Sequence, residues 1–434
     1  MKISVVRRKL IKPCTPTPQN LKNYKISYID ELAPSTNIGL LLFYPSKPET
    51  TTIITQKLQQ SLEKILPQFY LLAGRYIKSD HTVDCSDHGA EFVEAEASDE
   101  VDFPDIINAG TTTEQLTDLL PRGSYEVDEV TDPLLSVQIT EFRRGGVIIA
   151  ISVSHRISDT ASLVTFVAAW SNATNSGLKA TITSSFHESQ AFFPGRNWDN
   201  PYGGPSRVED PGIVIKRLCF DAEAIKSMRS KLTMNEGKQG ISKVLVVSAL
   251  IAKALIRLDR AKHGRSRECF INHAVNMRGR TVPNLHKHAC GNLILQSLSR
   301  CISAAETGEI GIQELVDLMS DAIGKSVSDC GEVVSLGSDG VDEFTLKPVV
   351  NALPRVLSGE AHVVWFSDWS KFGIYETDFG WGKPAQAGVA PLHGGATTLL
   401  MENRGGDGIE AWVHLHKDDM PLFEKDEEIS LFTS

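Results

Sequence analysis

The sequence predicts an α/β protein of two domains, each a mixed sheet flanked by helices. Its 434 residues exceed what one hydrophobic core usually serves. Both halves alternate short apolar runs with amphipathic stretches, the pattern of packed sheet and helix layers. An irregular stretch rich in Gly, Pro, Asn and Ser lies between about Ser184 and Asp210, which indicates a linker. We therefore expect domains at residues 1–185 and 211–434, joined by a linker at residues 186–210.

Elements of both halves follow from their apolar periodicity. Ser242 is expected to cap one helix, Val244–Ile256, which is apolar nearly all round and therefore buried. The other predicted helices are Thr55–Leu66, Ala222–Leu232 and Ile312–Ile323. The predicted strands are Ile3–Leu10, Tyr24–Glu31, Gly39–Tyr44, Val214–Phe220, Cys269–Asn276, Gly291–Ser299, His362–Ser367, Thr397–Asn403 and Gly408–Leu415.

The clearest hairpin joins Leu134–Phe142 to Val147–Ser154 through the turn Arg143–Gly146. Because side chains alternate along a strand, His155 closes the second strand on the same face as its alternate hydrophobic residues. A helix with an apolar stripe begins after Asp159. The sequence therefore places an imidazole at the end of a buried strand.

Charge and cysteine content exclude several classes of protein. The chain has 44 Lys and Arg against 54 Asp and Glu, a net charge of −10, so nucleic acid is not an expected partner. Seven cysteines without a CxxC pair favour free thiols in a reducing compartment over disulfides or zinc. No apolar run approaches a membrane span, and the N-terminus lacks a signal-peptide core. We expect a cytoplasmic protein that does not bind membranes.

His155 and Asp159 form an HxxxD pair across a strand end and a helix start. An imidazole can take a proton from a hydroxyl at neutral pH. The pattern alone is weak, since a buried histidine is more often bonded to backbone. Asp159 can equally cap the following helix instead of acting on His155. A Ser-His-Asp triad is disfavoured because no GxSxG turn occurs and Ser154 points to the opposite face. No further metal ligands lie nearby.

The segment DFGWG at Asp378–Gly382 is much more specific than HxxxD. Two glycines and two aromatic residues within five positions predict a tight loop. Phe379 and Trp381 can also simply fill the hydrophobic core, which is compatible with a functional role of the loop. With HRISD about 220 residues upstream, this loop resembles the paired signature of the plant acyl-CoA-dependent acyltransferases called BAHD enzymes. The segments TPTPQNLKNYKISYID, LPQFYLLAGR, AVNMRGR, GNLILQ and GDGIEAWVHLHKDDMPLFEKDEEI also resemble that family, so the resemblance spans essentially the whole chain.

The resemblance implies two chloramphenicol-acetyltransferase-like domains with a tunnel at their interface and His155 as the catalytic base. It implies that Asp159 turns away from His155 and pairs with Arg278. It also implies that the DFGWG loop supports the site structurally through Asp378, Gly380, Trp381 and Gly382.

Four further residues are candidates for substrate contacts. Ser367 and Trp369 resemble the family's segment beside the reacting carbonyl, and Ser367 can equally be a strand-end serine. Ser242 and Lys243 at a helix N-terminus can bind a coenzyme A phosphate, or form only a capped helix with a solvated lysine. Neither a metal nor a permanently bound cofactor is expected. Acetyl-CoA, or another acyl-CoA, is the expected cosubstrate of a monomer.

Within the family the chain resembles the branch of vinorine synthase, deacetylvindoline acetyltransferase and salutaridinol acetyltransferase. That branch implies transfer of an acetyl group onto the hydroxyl of a specialised plant metabolite, an alkaloid. Sugar esters, terpenoids and phenolic alcohols are alternative acceptors. Two other classes stay open: a peptide-synthetase condensation domain, which Ser154 and Thr160 argue against, and a degenerate member that only binds. Thr160 stands where the family often has glycine, and SDWSK replaces the usual SDWCR.

Overall fold

The computed structural model describes residues 2–45, 51–98, 103–108, 112–125, 127–177, 185–198, 212–232, 240–392 and 395–433. They divide into two units. The first comprises Met1–Glu209, Leu285–Leu293 and Phe372–Pro391. The second comprises Asp210–Asn284, Ile294–Lys371 and Leu392–Ser434. Each unit contains one six-stranded mixed sheet with helices, so the predicted α/β class is confirmed.

The first unit is built on a sheet with the strand order β1-β6-β7-β8-β3-β13. Strands β6 and β7 pair in parallel, and the other neighbours are antiparallel. A small antiparallel sheet has the order β2-β5-β4. The strands are β1 (Ile3–Ile11), β2 (Asn23–Lys25), β3 (Asn37–Tyr44), β4 (Arg75–Ile77), β5 (Thr82–Asp84), β6 (Ala90–Ala97), β7 (Leu135–Glu141), β8 (Val147–Ser154) and β13 (Gln386–Val389).

Helices α2 and α5 pack against each other in this unit. Every described residue of β3 and β8 is buried, which gives the sheet an apolar centre. The indole N–H of Trp170 on α5 donates to the Leu58 carbonyl (3.2 Å) and to Ser61 Oγ (3.0 Å) on α2. The helices of the unit are α1 (Tyr28–Leu32), α2 (Thr51–Ile65), α3 (Phe103–Asn108), α4 (Thr113–Leu119), α5 (Thr160–Ser176) and α6 (His187–Phe192).

The second unit has the strand order β11-β10-β12-β14-β15-β9. Strand β12 pairs in parallel with β10 and β14, and the remaining pairs are antiparallel. The strands are β9 (Ile213–Phe220), β10 (Glu268–Asn276), β11 (Ile294–Leu298), β12 (Ala361–Asp368), β14 (Ala396–Glu402) and β15 (Ile409–His416).

A long buried helix, α8, forms the core of the second unit with this sheet. Ser242 caps it, as predicted, by accepting a hydrogen bond from the Leu245 N–H (3.1 Å). Eleven of its 21 residues are buried, including Val246, Leu250 and Leu255. The helices of the unit are α7 (Ala222–Ser230), α8 (Lys243–His263), α9 (Ala304–Glu309), α10 (Ile312–Leu336), α11 (Ser338–Val341), α12 (Lys347–Leu357), α13 (Met420–Glu424) and α14 (Glu427–Phe432).

The predicted strand Tyr24–Glu31 is wrong beyond its first two residues. Strand β2 ends at Lys25, and helix α1 begins at Tyr28. The cause is local: Ser27 and Asp30 form a capping box, each side chain accepting the other's backbone N–H. That signature outweighs the strand propensity of the preceding residues.

Two segments fall in a different unit from the one that their place in the sequence suggests. DFGWG, which was expected in the C-terminal domain, lies in the first unit because β13 follows it and pairs antiparallel with β3. Gly291–Leu293, which was predicted to start a strand, also belongs to the first unit, and β11 starts only at Ile294. The expected linker at residues 186–210 contains α6, and its part from residue 199 lies outside the described residues.

None of the helices among the described residues combines the length and apolar character that a bilayer crossing requires. The same residues contain no group of three or more His, Cys, Asp or Glu side chains that could hold a metal ion. All seven cysteines are described, and all are free thiols.

Candidate active site

The backbone of His155 is held on both sides where strand β8 ends. Its N–H donates to the Thr36 carbonyl (2.8 Å), which extends the pairing with β3 by one residue. Its own carbonyl accepts a hydrogen bond of 2.7 Å from Asn292 Nδ2. A residue whose two flanking peptide units are both held by hydrogen bonds has little backbone freedom. The strand end therefore presents this side chain in a defined direction.

The imidazole of His155 is only half-buried, although its Nδ1 atom is fully covered. Nδ1 makes no hydrogen bond of normal geometry with any described residue. Burial lowers the pKa of His155 below its usual value, and hydrogen bonding to its own backbone and the charge of Asp159 offset part of that effect. At neutral pH the ring is therefore uncharged and able to accept a proton.

Arg156, the residue after His155, fixes the same turn through hydrogen bonds of its guanidinium. Its guanidinium is buried and contacts Asp128 with Nε (3.2 Å) and Nη2 (3.0 Å). Nη1 donates to the Ala33 carbonyl (2.8 Å), and Nη2 also bonds Ser35. Asp128 adopts a left-handed backbone with φ of 71°. Removing one partner of such a buried pair leaves an uncompensated charge, which is strongly destabilising.

Asp159 is the N-cap of helix α5. Its Oδ1 accepts from the Ser162 N–H and the Ser162 hydroxyl, both at 2.8 Å. Its Oδ2 accepts from the Leu293 N–H at 3.1 Å. The carboxylate therefore joins the start of α5 to the segment that contains Asn292. The pairing of Asp159 with Arg278 stays a prediction; within the second unit, Arg278 Nη1 donates to Asn276 Oδ1 (3.1 Å).

The DFGWG loop packs against helix α5 and strand β3. Asp378 Oδ1 accepts from the Gly380 N–H (2.7 Å) and the Gly382 N–H (2.9 Å), and both glycines have a positive φ near 100°. L-residues rarely adopt that conformation, so the loop requires glycine at these positions. Phe379 meets the Trp170 ring edge-on at 5.0 Å and stacks on Trp381 at 5.7 Å.

Ser367 and Trp369 lie at the end of β12 in the second unit. The indole N–H of Trp369 donates to Ser367 Oγ (2.9 Å), and the Trp369 backbone N–H donates to the Leu400 carbonyl (2.7 Å). The Ser367 hydroxyl accepts one hydrogen bond here, and no described residue accepts a hydrogen bond from it. This hydroxyl is therefore able to donate to an oxyanion.

Lys243 follows the Ser242 cap and is engaged within its own unit. Its ammonium donates to Glu402 Oε1 (2.8 Å) and to the Gly406 carbonyl (2.6 Å). A phosphate at this helix N-terminus would have to share or displace these contacts. The expectation that Ser242 and Lys243 bind a coenzyme A phosphate stays a prediction.

The first unit thus contains His155, Asp159 and the DFGWG loop, with Asp159 at the start of α5 and the loop against Trp170 further along that helix. The second unit contains Ser367, Trp369, Ser242, Lys243 and Arg278. Sequence reasoning missed Asp30, Arg156 and Asn292 as site residues. Signals for two of them were present: Ser27 and Asp30 have capping-box spacing, Asp30 ends the family-like segment TPTPQNLKNYKISYID, and Asn292 lies in the GNLILQ segment. None of these indicates a partner distant in sequence, because long-range hydrogen bonds leave no local pattern.

Known proteins resemble this chain over nearly its whole length. The model of the Transferase family matches residues 1–430. The chain is 44% identical to pelargonidin 3-O-(6-caffeoylglucoside) 5-O-(6-O-malonylglucoside) 4'''-malonyltransferase of Salvia splendens, with 100% of both chains covered. It is 34% identical to vinorine synthase of Rauvolfia serpentina over 96% of this chain and 95% of that one. The crystal structure of vinorine synthase matches with a TM-score of 0.85, 32% identity and coverage of 100% and 99%. Stemmadenine O-acetyltransferase of Catharanthus roseus is 30% identical, with 98% and 96% covered.

Proposed function

The chain belongs to the Transferase family of plant acyl-CoA-dependent acyltransferases, the BAHD enzymes, and we propose that it acylates a hydroxyl of a specialised metabolite with His155 as general base. The His155 imidazole supports this proposal most directly. It stands at a strand end with its backbone held at both N–H and carbonyl, and burial keeps it uncharged at neutral pH.

The reaction needs one base and one oxyanion donor, because a thioester is already activated. In our proposal His155 removes the acceptor's hydroxyl proton as the oxygen attacks the thioester carbonyl. The tetrahedral intermediate then collapses, its C–S bond breaks, and the departing thiolate takes the proton from the imidazolium. Ser367 is the candidate hydrogen-bond donor to the oxyanion, since its hydroxyl hydrogen is uncommitted among the described residues. No acyl-enzyme forms.

For the donor we propose malonyl-CoA, and for the acceptor a sugar hydroxyl of a phenolic glycoside. Support comes from the Salvia splendens malonyltransferase, whose 44% identity extends over the entire chain. An acetyl-CoA donor with an alkaloid alcohol, as expected from the sequence, is the second candidate. The similarity to vinorine synthase and to stemmadenine O-acetyltransferase favours it. We propose that the protein is cytosolic and monomeric. Size-exclusion chromatography tests the oligomeric state.

A donor competition assay separates the two candidates. The purified protein is offered equal malonyl-CoA and acetyl-CoA with glycosylated phenolics, and separately with alkaloid alcohols, and the products are identified by mass. Preferential malonylation of a glycoside supports the first candidate, and acetylation of an alkaloid supports the second. Absence of turnover with every donor and acceptor, by a protein that is folded, would contradict the enzymatic proposal.

A further inference from the structure

Two carboxylates hold the short segment Gly291–Leu293 beside the His155 turn. Asp30 Oδ1 accepts from both the backbone N–H and the side-chain Nδ2 of Asn292, each at 2.8 Å. Asp159 Oδ2 accepts from the next backbone N–H, that of Leu293, at 3.1 Å. The second oxygen of Asp30 accepts from the Ser27 N–H (3.0 Å) and hydroxyl (2.7 Å). The segment is thus tied to α1 on one side and α5 on the other.

These contacts determine how the Asn292 carboxamide is oriented. Its Nδ2 lies 2.8 Å from Asp30 Oδ1 and 2.7 Å from the His155 carbonyl, and both of these atoms are acceptors only. The amide nitrogen must therefore occupy this position, and Oδ1 must point the other way. Asn292 Oδ1 has no hydrogen-bond partner among the described residues, and neither has His155 Nδ1.

The two unpartnered atoms belong to residues that are already joined by the hydrogen bond from Asn292 Nδ2 to the His155 carbonyl. Burial lowers the pKa of His155, and hydrogen bonding to its own backbone, the charge of Asp159 and hydrogen bonding from the Asn292 side chain oppose that lowering, in decreasing order. A buried N–H and a buried carbonyl oxygen without partners are costly, so a small adjustment that joins them is favourable. Such a bond places the proton on Nδ1 and leaves Nε2 with its lone pair.

We propose that Asp30 and Asn292 are positioning residues: Asp30 orients the Asn292 carboxamide, which clamps the His155 carbonyl and selects the tautomer whose Nε2 is the base. The proposal rests on the function proposed above for His155. It assigns a role in the reaction to a carboxylate that is 1% exposed and 125 residues before the histidine in sequence. Asp30 acts through Asn292 and does not itself exchange a proton with the substrate.

The proposed role of Asp30 requires its carboxylate to be ionised. All four groups around its carboxylate are donors, so only the ionised, acceptor-only form satisfies every one of them. Burial raises the pKa of Asp30 to about 6, while those hydrogen bonds oppose the rise. At neutral pH the carboxylate is therefore ionised. An asparagine at position 30 would place its NH2 group, which can only donate, against at least one of these four donors.

Glu31, the next residue, provides a matched control. It is also 1% exposed and lies on the same helix. Its carboxylate accepts from the backbone N–H groups of Arg196, Asn197 and Trp198, at 3.1, 2.9 and 3.1 Å. Glu31→Gln therefore disturbs a buried carboxylate of similar surroundings whose bonds do not lead to His155.

The kinetic experiment compares Asp30→Asn, Asn292→Ala and Glu31→Gln with the wild type, with folding checked by circular dichroism. We expect Asp30→Asn and Asn292→Ala each to lower kcat by about tenfold to a hundredfold, because small misplacements of a catalytic group have effects of this size. The KM for acyl-CoA should stay unchanged. The double variant should be no worse than the more severe single one, since both changes break one chain of contacts. Glu31→Gln should keep the wild-type kcat even if its melting temperature falls as far as that of Asp30→Asn.

A second readout needs no substrate. In protein with ¹⁵N-labelled histidine, the ring nitrogen shifts of His155 report which nitrogen carries the proton. We expect Nδ1–H in the wild type and in Glu31→Gln, and a changed tautomer in Asp30→Asn and Asn292→Ala. Asn292→Ala keeps the test available if Asp30→Asn does not fold. Equal losses of kcat in Asp30→Asn and Glu31→Gln, or an unchanged tautomer in Asn292→Ala, would overturn the proposal. A folded wild type without acyl transfer would instead overturn the proposed function.

Discussion

Each unit contains a histidine on its main sheet with one ring nitrogen unpartnered among the described residues, yet their surroundings differ. His273 lies within β10, is 6% exposed, and stacks on Phe366 at 4.9 Å. Burial alone lowers its pKa, to about 4. His155 follows the end of β8, is half-buried, and has charged neighbours in Asp159 and Arg156 that act on its pKa in opposite directions.

The difference shows that burial and a low pKa do not by themselves identify a catalytic histidine. Position at a strand end exposes part of the ring, and hydrogen bonds at the backbone restrict its direction. His273 has neither feature: its strand continues to Asn276 on one side and begins at Glu268 on the other. A histidine within a strand is held by packing, and a histidine just beyond one can reach a ligand.

The largest expected effect is on turnover. His155→Ala should lower kcat by about 10²- to 10⁴-fold, the range that a positioned base supplies. Binding of the acyl-CoA donor, measured by calorimetry, should remain. The matched control is His273→Phe, which keeps a ring against Phe366 and should keep wild-type turnover. If His273→Phe lost as much activity as His155→Ala, the distinction between the two residues would fail.

The pH dependence of kcat/KM sharpens the same distinction. Burial lowers the pKa of His155, so its basic form is present at neutral pH and is lost as the pH falls through that lowered pKa. We expect an acid limb with a midpoint below the usual histidine value of about 6.5, falling about tenfold per pH unit below it. A midpoint above the usual value, measured under first-order conditions, would contradict a base in this environment.

Acid stability should depend on His273 instead. Its folded pKa of about 4 lies below the usual value of about 6.5, so the unfolded chain binds this proton first. The stabilising contribution is complete above the unfolded pKa and declines as the pH falls towards 4. Its full size is about 3 kcal/mol. Urea unfolding at several pH values should show a shallower acid decline for His273→Phe than for the wild type; parallel curves would rule out this contribution.

The smallest expected effect concerns the N-terminus of α8. Ser242 caps that helix, and Ser242→Ala should lower the free energy of unfolding by about 1 kcal/mol. If Ser242 and Lys243 also bind a coenzyme A phosphate, the KM for acyl-CoA should rise in Ser242→Ala and Lys243→Ala while kcat stays. Stability changes without any change in KM would leave only the structural role.

Local patterns allowed much of the fold to be predicted from sequence. The hairpin of β7 and β8, the helix after Asp159 and the Ser242 cap each depend on residues close together in the chain, and each is present. Helix α10 was predicted to end at Ile323 but continues to Leu336, because its glycines, Gly324 and Gly331, do not interrupt it. The pairing of β13 with β3 joins residues far apart in sequence and leaves no local pattern.

The same reasoning explains the candidate site. His155, Asp159 and the DFGWG loop were found because their spacing is itself a pattern. Asp30 and Asn292 were missed because their role depends on which chain segments meet in three dimensions. A buried carboxylate beside a capping serine resembles any other helix start in sequence.

The discontinuous first unit also limits how the gene can be divided. A message that stops after codon 209 encodes strands β1 to β8 but lacks β13. Strand β3, whose eight residues are buried and mostly apolar, would then have an unpaired edge. Such an edge is prone to pair with other chains and aggregate. The same truncation removes Asn292, leaving the His155 carbonyl without its donor. An N-terminal half gene would therefore yield an aggregating product, and a library that recombines homologous genes should keep residues 285–293 and 372–391 from the same parent as residues 1–209.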